Sequence, residues 1–106
     1  MARKPIHPGE HLREELKELG MSAAELARRL NVPTHRVTSI LNSQRTITGD
    51  TALRLAHFFG TSPEFWLNLQ NLYELRLAEA SSKGGVEGKL PIRQYSLHHR
   101  QRRRSD

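Results

Sequence analysis

Two residues, Asn31 and Val32, are all that separate one helical apolar pattern from the next. Upstream, Ser22 and Glu25 form a capping-box pair, so a helix is expected to start there and to carry Leu26, Ala27 and Leu30 inward. Downstream, Pro33 suits the first turn of another helix, whose inward residues are Val37, Ile40 and Leu41. A two-residue connection is too short for a loop but enough for a sharp turn. Asn is the non-glycine residue that best tolerates the left-handed backbone such a turn needs. Ala27 must be small because the next helix crosses over it, and Val37 and Ile40 lock that helix so that its other face projects from the body. These are the mechanics of a helix-turn-helix.

On a helical wheel, Thr38, Asn42, His35, Ser39 and Arg36 share the projecting side, opposite Pro33, Val37, Ile40 and Leu41. That side is short, polar and free of acid, as approach to base edges and phosphates requires. Charge points the same way. From Leu26 through Gly49 there is no Asp or Glu, while Arg28, Arg29, Arg36 and Arg45 all fall inside. The preceding helix carries Glu10, Glu14, Glu15 and Glu18. Such segregation places an attractive field for a polyanion on the turn and the helix after it. The bland alternative is a solvated helical hairpin.

The rest of the chain supplies three more helices. Pro5 and Pro8-Gly9 are expected to keep an N-terminal arm, residues 1–9, extended before Leu12, Leu16 and Leu19 recur at helical spacing up to Gly20. After Asn42-Ser43-Gln44, Thr48 caps a fourth helix running through Leu53, Leu55 and Ala56 to Phe59 and Gly60. Ser62-Pro63 opens a fifth, to about Ala80. The fold class is all-α: a compact five-helix domain over residues 1–80, followed by a flexible basic tail over 81–106. The tail carries most of the net charge of +6, with seven Lys/Arg against two Asp/Glu, whereas residues 1–80 hold ten against nine.

In the fifth helix, Trp66 with Phe65, Leu69, Leu72 and Tyr73 forms a stripe expected to face the core. Leu67 and Leu75, with Asn71 between them, lie on a separate arc that one small core has little means to cover. They are the candidate dimer seam, against the plainer reading of two ordinary exposed leucines.

Residues Pro5 to about Ala80 resemble the HigA-type antitoxins within the Xre/Cro repressor-like group. The resemblance rests on Pro8-Gly9-Glu10 leading into Leu12-Arg13-Glu14-Glu15-Leu16, on Gly20-Met21-Ser22, and on Thr48 with Thr51-Ala52-Leu53-Arg54-Leu55-Ala56. Its most distinctive mark is Phe65-Trp66-Leu67-Asn68-Leu69-Gln70 followed by Tyr73. It implies a homodimer that binds double-stranded operator DNA, represses its own operon and neutralises a RelE/HigB-like ribonuclease toxin. By position, base readout falls on Thr34, His35 and Ser39, with Arg36 and Thr38 nearby. Phosphate contacts fall on Ser22 and Ala23 at a helix start, and on Asn42, Gln44 and Arg45. Two departures stand out: Asn31 replaces the usual turn glycine, and Pro33 sits where a capping Ser or Thr is common. The rival readings are a stand-alone regulator without a toxin, and an interaction module that inhibits an enzyme and binds DNA only incidentally. The tail could tether DNA, bind toxin or simply solubilise.

Other chemistry is not legible. His7-Pro8-Gly9-Glu10-His11 spells a zinc-peptidase pattern, but Pro8-Gly9 is expected to break the helix that zinc ligation needs, and no third ligand is evident. His98-His99 reads as solvated tail. No nucleophile–base pair or carboxylate dyad is present, so neither enzyme activity nor cofactor is expected. Absence of cysteine suits a reducing compartment, and no apolar run suggests a membrane span, so the expected location is cytoplasmic.

Overall fold

A computed structural model describes residues 4–82, which contain five α-helices and, among the described residues, no strand. They are α1 (Pro8–Leu19), α2 (Ala23–Leu30), α3 (Thr34–Leu41), α4 (Gly49–Phe59) and α5 (Pro63–Ser82). The basic tail, with Arg102-Arg103-Arg104 and His98-His99, lies outside the described residues.

The arm is shorter than the sequence suggested, because Pro8 and Gly9 belong to α1 and do not extend the chain before it. Proline at the first helical position sacrifices only an N–H that has no intrahelical partner. His7 is the N-cap: its ring Nδ1 accepts the Gly9 N–H at 2.8 Å. The histidine of the zinc-like pattern is thus a buried helix cap, and no cluster of three metal-ligating side chains occurs among the described residues. Gly9 has a second role. A Cβ there would sit 1.9 Å from the Ile40 carbonyl oxygen, so the start of α1 meets the backbone of α3 where no other residue fits.

The helix-turn-helix forms as its sequence dictates. Ser22 Oγ accepts the Glu25 N–H at 3.1 Å, although Glu25 turns its carboxylate to Arg29 and leaves the capping box one-sided. Asn31 adopts φ 59° and ψ 49°, and the Val32 N–H reaches back to the Ala27 carbonyl at 3.0 Å. Pro33 is the N-cap of α3, without a side-chain bond to the helix. A second left-handed residue follows that helix: Ser43, at φ 60°.

One core unites the layers. Leu12 and Leu16 from α1, Leu26, Ala27 and Leu30 from α2, Val37 and Ile40 from α3, Ile47, then Ala52, Leu55 and Ala56 from α4 meet Trp66 of α5. Removing a leucine side chain from water contributes about 1.5–3 kcal/mol, so Leu12, Leu26 and Leu55, each nearly sealed, anchor three helices directly. Leu19 does not join them. Past Gly20, the half-buried Met21 continues the line of Leu12 and Leu16, and Leu19 is left exposed.

α5 corrects the wheel expectation most. Trp66 is buried, but the second sealed position is Gln70, whose Oε1 accepts the Ile47 N–H at 2.8 Å while its amide donates to Glu74. Phe65 and Leu72, expected in the stripe, are exposed, and Leu67, expected outside it, is half-buried against the core. Helix α5 rotates to satisfy the buried backbone of the α3–α4 connection through Gln70, a requirement that a ranking by hydrophobicity does not contain. Leu75 and Asn71 remain exposed.

Candidate nucleic-acid interface

The surface around α3 follows from how that short helix is held. Val37 and Ile40 fix its inner side, and α1 and α2 both pack on it. Thr34 and His35 are therefore exposed at its N-terminal end, Arg36, Thr38 and Ser39 half-exposed along its flank, and Asn42 exposed at its C-terminus. Thr38 Oγ1 donates to the His35 carbonyl at 3.2 Å, within the helix. The face is polar, and α3 carries no acid.

Arginines from outside the motif brace it at both ends. Arg54 of α4 donates from Nη1 to the Leu30 carbonyl at 2.8 Å and the Asn31 carbonyl at 3.4 Å, satisfying the C-terminus of α2 where the turn begins. Arg13 of α1 donates from Nη2 to the Leu41 carbonyl and to Asn42 Oδ1, both at 3.0 Å, at the end of α3. Cationic donors at helix C-termini fit both the unpaired carbonyls and the helix dipole.

The first acid after the acid-free stretch, Asp50, folds back into it. Its Oδ2 accepts from Arg54 Nε at 3.0 Å and Arg36 Nη1 at 3.1 Å. These bonds, Arg54 foremost, hold its carboxyl below the usual carboxylate range. Arg29 is likewise paired, with Glu25 at 3.4 Å. Of the four arginines counted from the sequence, only Arg28 and Arg45 lack a carboxylate partner among the described residues. The field is narrower than the sequence count implies. Arg45 and Thr46, with Thr48 at the start of α4 and the pinned Arg36, line a shallow polar hollow beside α3.

Ser22, Ala23 and Gln44 complete the predicted positions. Ser22 is exposed with its oxygen already accepting one bond to cap α2, and its hydroxyl proton is free to be donated outward. Ala23 is half-buried, and Gln44 is exposed beside Arg45. Behind this connection, His7 packs edge-on against Tyr73 at 4.8 Å and also hydrogen-bonds the Arg45 backbone. Burial lowers the pKa of His7, with the Arg45 backbone and Glu10 opposing that shift. A neutral ring is what the cap requires, since Nδ1 must accept. Arg13, Arg54, Asp50 and His7 were not foreseen as parts of this site. The only sequence signal for Arg13 was its place beside Gly9 and Leu12 on the helix that approaches α3.

Residues 12–66 match the HTH_3 family, described as helix-turn-helix. Among solved structures, the chain is similar to an addiction module antidote protein of a HigA family from Coxiella burnetii. It is 55% identical at a TM-score of 0.83, covering 86% of this chain and all of that one. It is also similar to a Pseudomonas aeruginosa antitoxin HigA solved with the higBA promoter, at 45% identity and a TM-score of 0.78 over 83% of this chain and 97% of that one. Virulence-associated protein I of Dichelobacter nodosus is 53% identical over 75 residues, 70% of this chain and 69% of that protein.

Proposed function

The chain belongs to the HTH_3 helix-turn-helix family, and from that premise we propose that it is a DNA-binding antitoxin that represses its own operon and neutralises a RelE-like ribonuclease toxin in the cytoplasm. The observation that carries the reading is the likeness to the promoter-bound HigA across nearly that protein's whole length. It is supported by an α3 whose outer face is polar and free of acid, and by Arg45 beside it, which has no carboxylate partner among the described residues.

In this reading α3 enters the major groove, where Thr34, His35 and Ser39 meet base edges. Thr38 lies alongside, and Arg36 is steered by Asp50 toward the flank. Ser22, Ala23, Asn42, Gln44 and Arg45 hold phosphates. Phosphate contacts set orientation and affinity, and base contacts set sequence preference. One eight-residue helix spans too few base pairs to select a site alone. Two copies related by a two-fold axis, with their α3 helices about 34 Å apart, resolve that shortage. We place the seam on the exposed side of α5, with Leu75 and Asn71 joined by Leu72. Leu67 contributes only what its own core leaves uncovered.

The test is a footprint of the purified protein on the DNA upstream of its own reading frame, together with co-purification of the product of the adjacent gene. Protection of a two-fold symmetric element and recovery of a small basic ribonuclease support the whole reading. Protection without a partner leaves a stand-alone regulator. A partner without protection leaves an enzyme-inhibiting module.

A further inference from the structure

We propose that Arg13 and Asn42 form a joint phosphate-binding site, in which Arg13 both binds a DNA phosphodiester and sets the orientation in which Asn42 binds the same strand. The proposal rests on the DNA-binding reading above and adds to it a residue that lies outside the helix-turn-helix, on α1.

The geometry carries it. Arg13 spends a single nitrogen, Nη2, on both of its bonds, to the Leu41 carbonyl and to Asn42 Oδ1 at 3.0 Å each. A guanidinium has five N–H donors in a rigid plane, so the N–H groups on Nη1 and Nε remain to be satisfied. Arg13 is exposed and has no carboxylate partner among the described residues, unlike Arg29, Arg36, Arg54 and Arg76. It is therefore a cation held in place by neutral acceptors, with its full charge available.

The bond to Asn42 has a second consequence. A carboxamide presents an acceptor on one side and two donors on the other. With Oδ1 turned to the guanidinium, the Asn42 amide N–H groups face away from it, and the side chain is exposed. Arg13 thus selects which end of the amide meets an incoming ligand. Together the two side chains offer only donors, one set charged. Phosphodiester oxygens accept only, and charge-assisted bonds to phosphate are among the stronger hydrogen bonds. The site stands at the C-terminal end of α3, where a strand bordering the groove occupied by that helix would pass. The α3 dipole alone would repel an anion there, because its carbonyl end carries partial negative charge. Arg13 reverses that local sign.

The experiment measures the salt dependence of binding to a duplex carrying the footprinted element, for wild type, Arg13→Ala, Arg13→Lys, Asn42→Ala and the Arg13→Ala/Asn42→Ala double variant. Each lost cation–phosphate contact shallows the log–log slope by about one unit, whereas loss of a neutral contact lowers affinity at an unchanged slope. Asn42→Ala is expected to weaken binding about 5-fold at the wild-type slope, Arg13→Ala to lose about one unit of slope and the Asn42 contribution with it, and the double variant to bind no more weakly than Arg13→Ala. Lysine restores a charge without the fork that holds Asn42, so Arg13→Lys should recover the slope but not the affinity that Asn42 contributes. Thermal melting of each variant, with Arg13→Lys as the gentler change, separates binding from folding. If Arg13→Ala lowers the melting temperature while its slope stays wild type, Arg13 is only a brace for α3 and the site is overturned. Multiplicative affinity losses in the double variant, as for two independent contacts, overturn the orienting role. Wild-type protein that binds no duplex overturns the DNA-binding reading itself, and this site with it.

Discussion

In α2 and α3 the large apolar side chains, Leu26, Leu30, Val37, Ile40 and Leu41, are all buried or half-buried, whereas α5 leaves Phe65, Leu72, Leu75 and Leu77 substantially exposed. The polar groups differ too. Around α2 and α3 they are committed to caps and braces: Ser22 to α2, Arg54 to the turn, Arg13 to the end of α3. On the second half of α5, the pair Arg76–Glu79 is an ordinary bridge within one helix. A surface finished by hydrogen bonds suits a hydrated, charged partner. An unfinished apolar one suits another protein surface. The two functions proposed for this chain, reading DNA and pairing with itself, thus fall on regions built in contrasting ways.

The contrast can be broken where it is strongest, at the buried tryptophan of α5. Trp66→Ala should cost about 3–5 kcal/mol, read by chemical denaturation. A near-native midpoint would mean that α5 is held by something other than its buried tryptophan. The exposed half is tested by Leu72→Glu with Leu75→Glu. Light scattering should then report a monomer and circular dichroism an intact fold. Affinity for a symmetric operator should fall by about 100-fold, equivalent to roughly 2.7 kcal/mol, as the linkage between half-sites is lost. A variant that stays dimeric moves the seam elsewhere.

On the braced side effects are smaller. Arg54→Ala removes a donor from the Leu30 and Asn31 carbonyls and should destabilise by about 1–2 kcal/mol. An unchanged melting temperature would show that solvent serves those carbonyls equally well. The smallest effect is expected at Ser43, whose left-handed backbone strains any side chain. Ser43→Gly should stabilise by about 0.5–1 kcal/mol, the strain relieved less the entropy glycine adds to the unfolded chain. A loss of stability would mean the serine side chain holds that turn.

What could be read from the sequence follows a simple division. Signals confined to one turn of chain were legible: the Ser22 cap, the left-handed Asn31, the inward Val37 and Ile40. Each depends on neighbours within a few residues. Signals that need two elements were not. Phe65 and Leu72 share a wheel with Trp66, but the rotation of α5 is set by Gln70 reaching the Ile47 backbone, 23 residues away. The charge of the acid-free stretch, residues 26–49, looked like four free arginines until Asp50, one residue past its edge, paired with Arg36. Pro8-Gly9 read as an arm because proline and glycine together usually break helices. Here proline begins one, and glycine is present for contact with another helix. The four unforeseen residues of the candidate site, Arg13, Arg54, Asp50 and His7, all make contacts across elements.

The contact between Gly9 and the Ile40 carbonyl gives that division a consequence for how such a protein could change its preferred sequence. A Cβ at residue 9 would come within 1.9 Å of a backbone oxygen, and backbone cannot swing aside as a side chain does. Accommodating it would require α3 to slide or tilt as a rigid rod, taking Thr34, His35 and Ser39, the proposed base readers, with it. Readout is an alignment as well as a set of letters. In the proposed complex, a single methyl on α1 would alter that alignment while every proposed base-reading side chain stays the same, so inheritance of those residues alone does not guarantee inheritance of the operator.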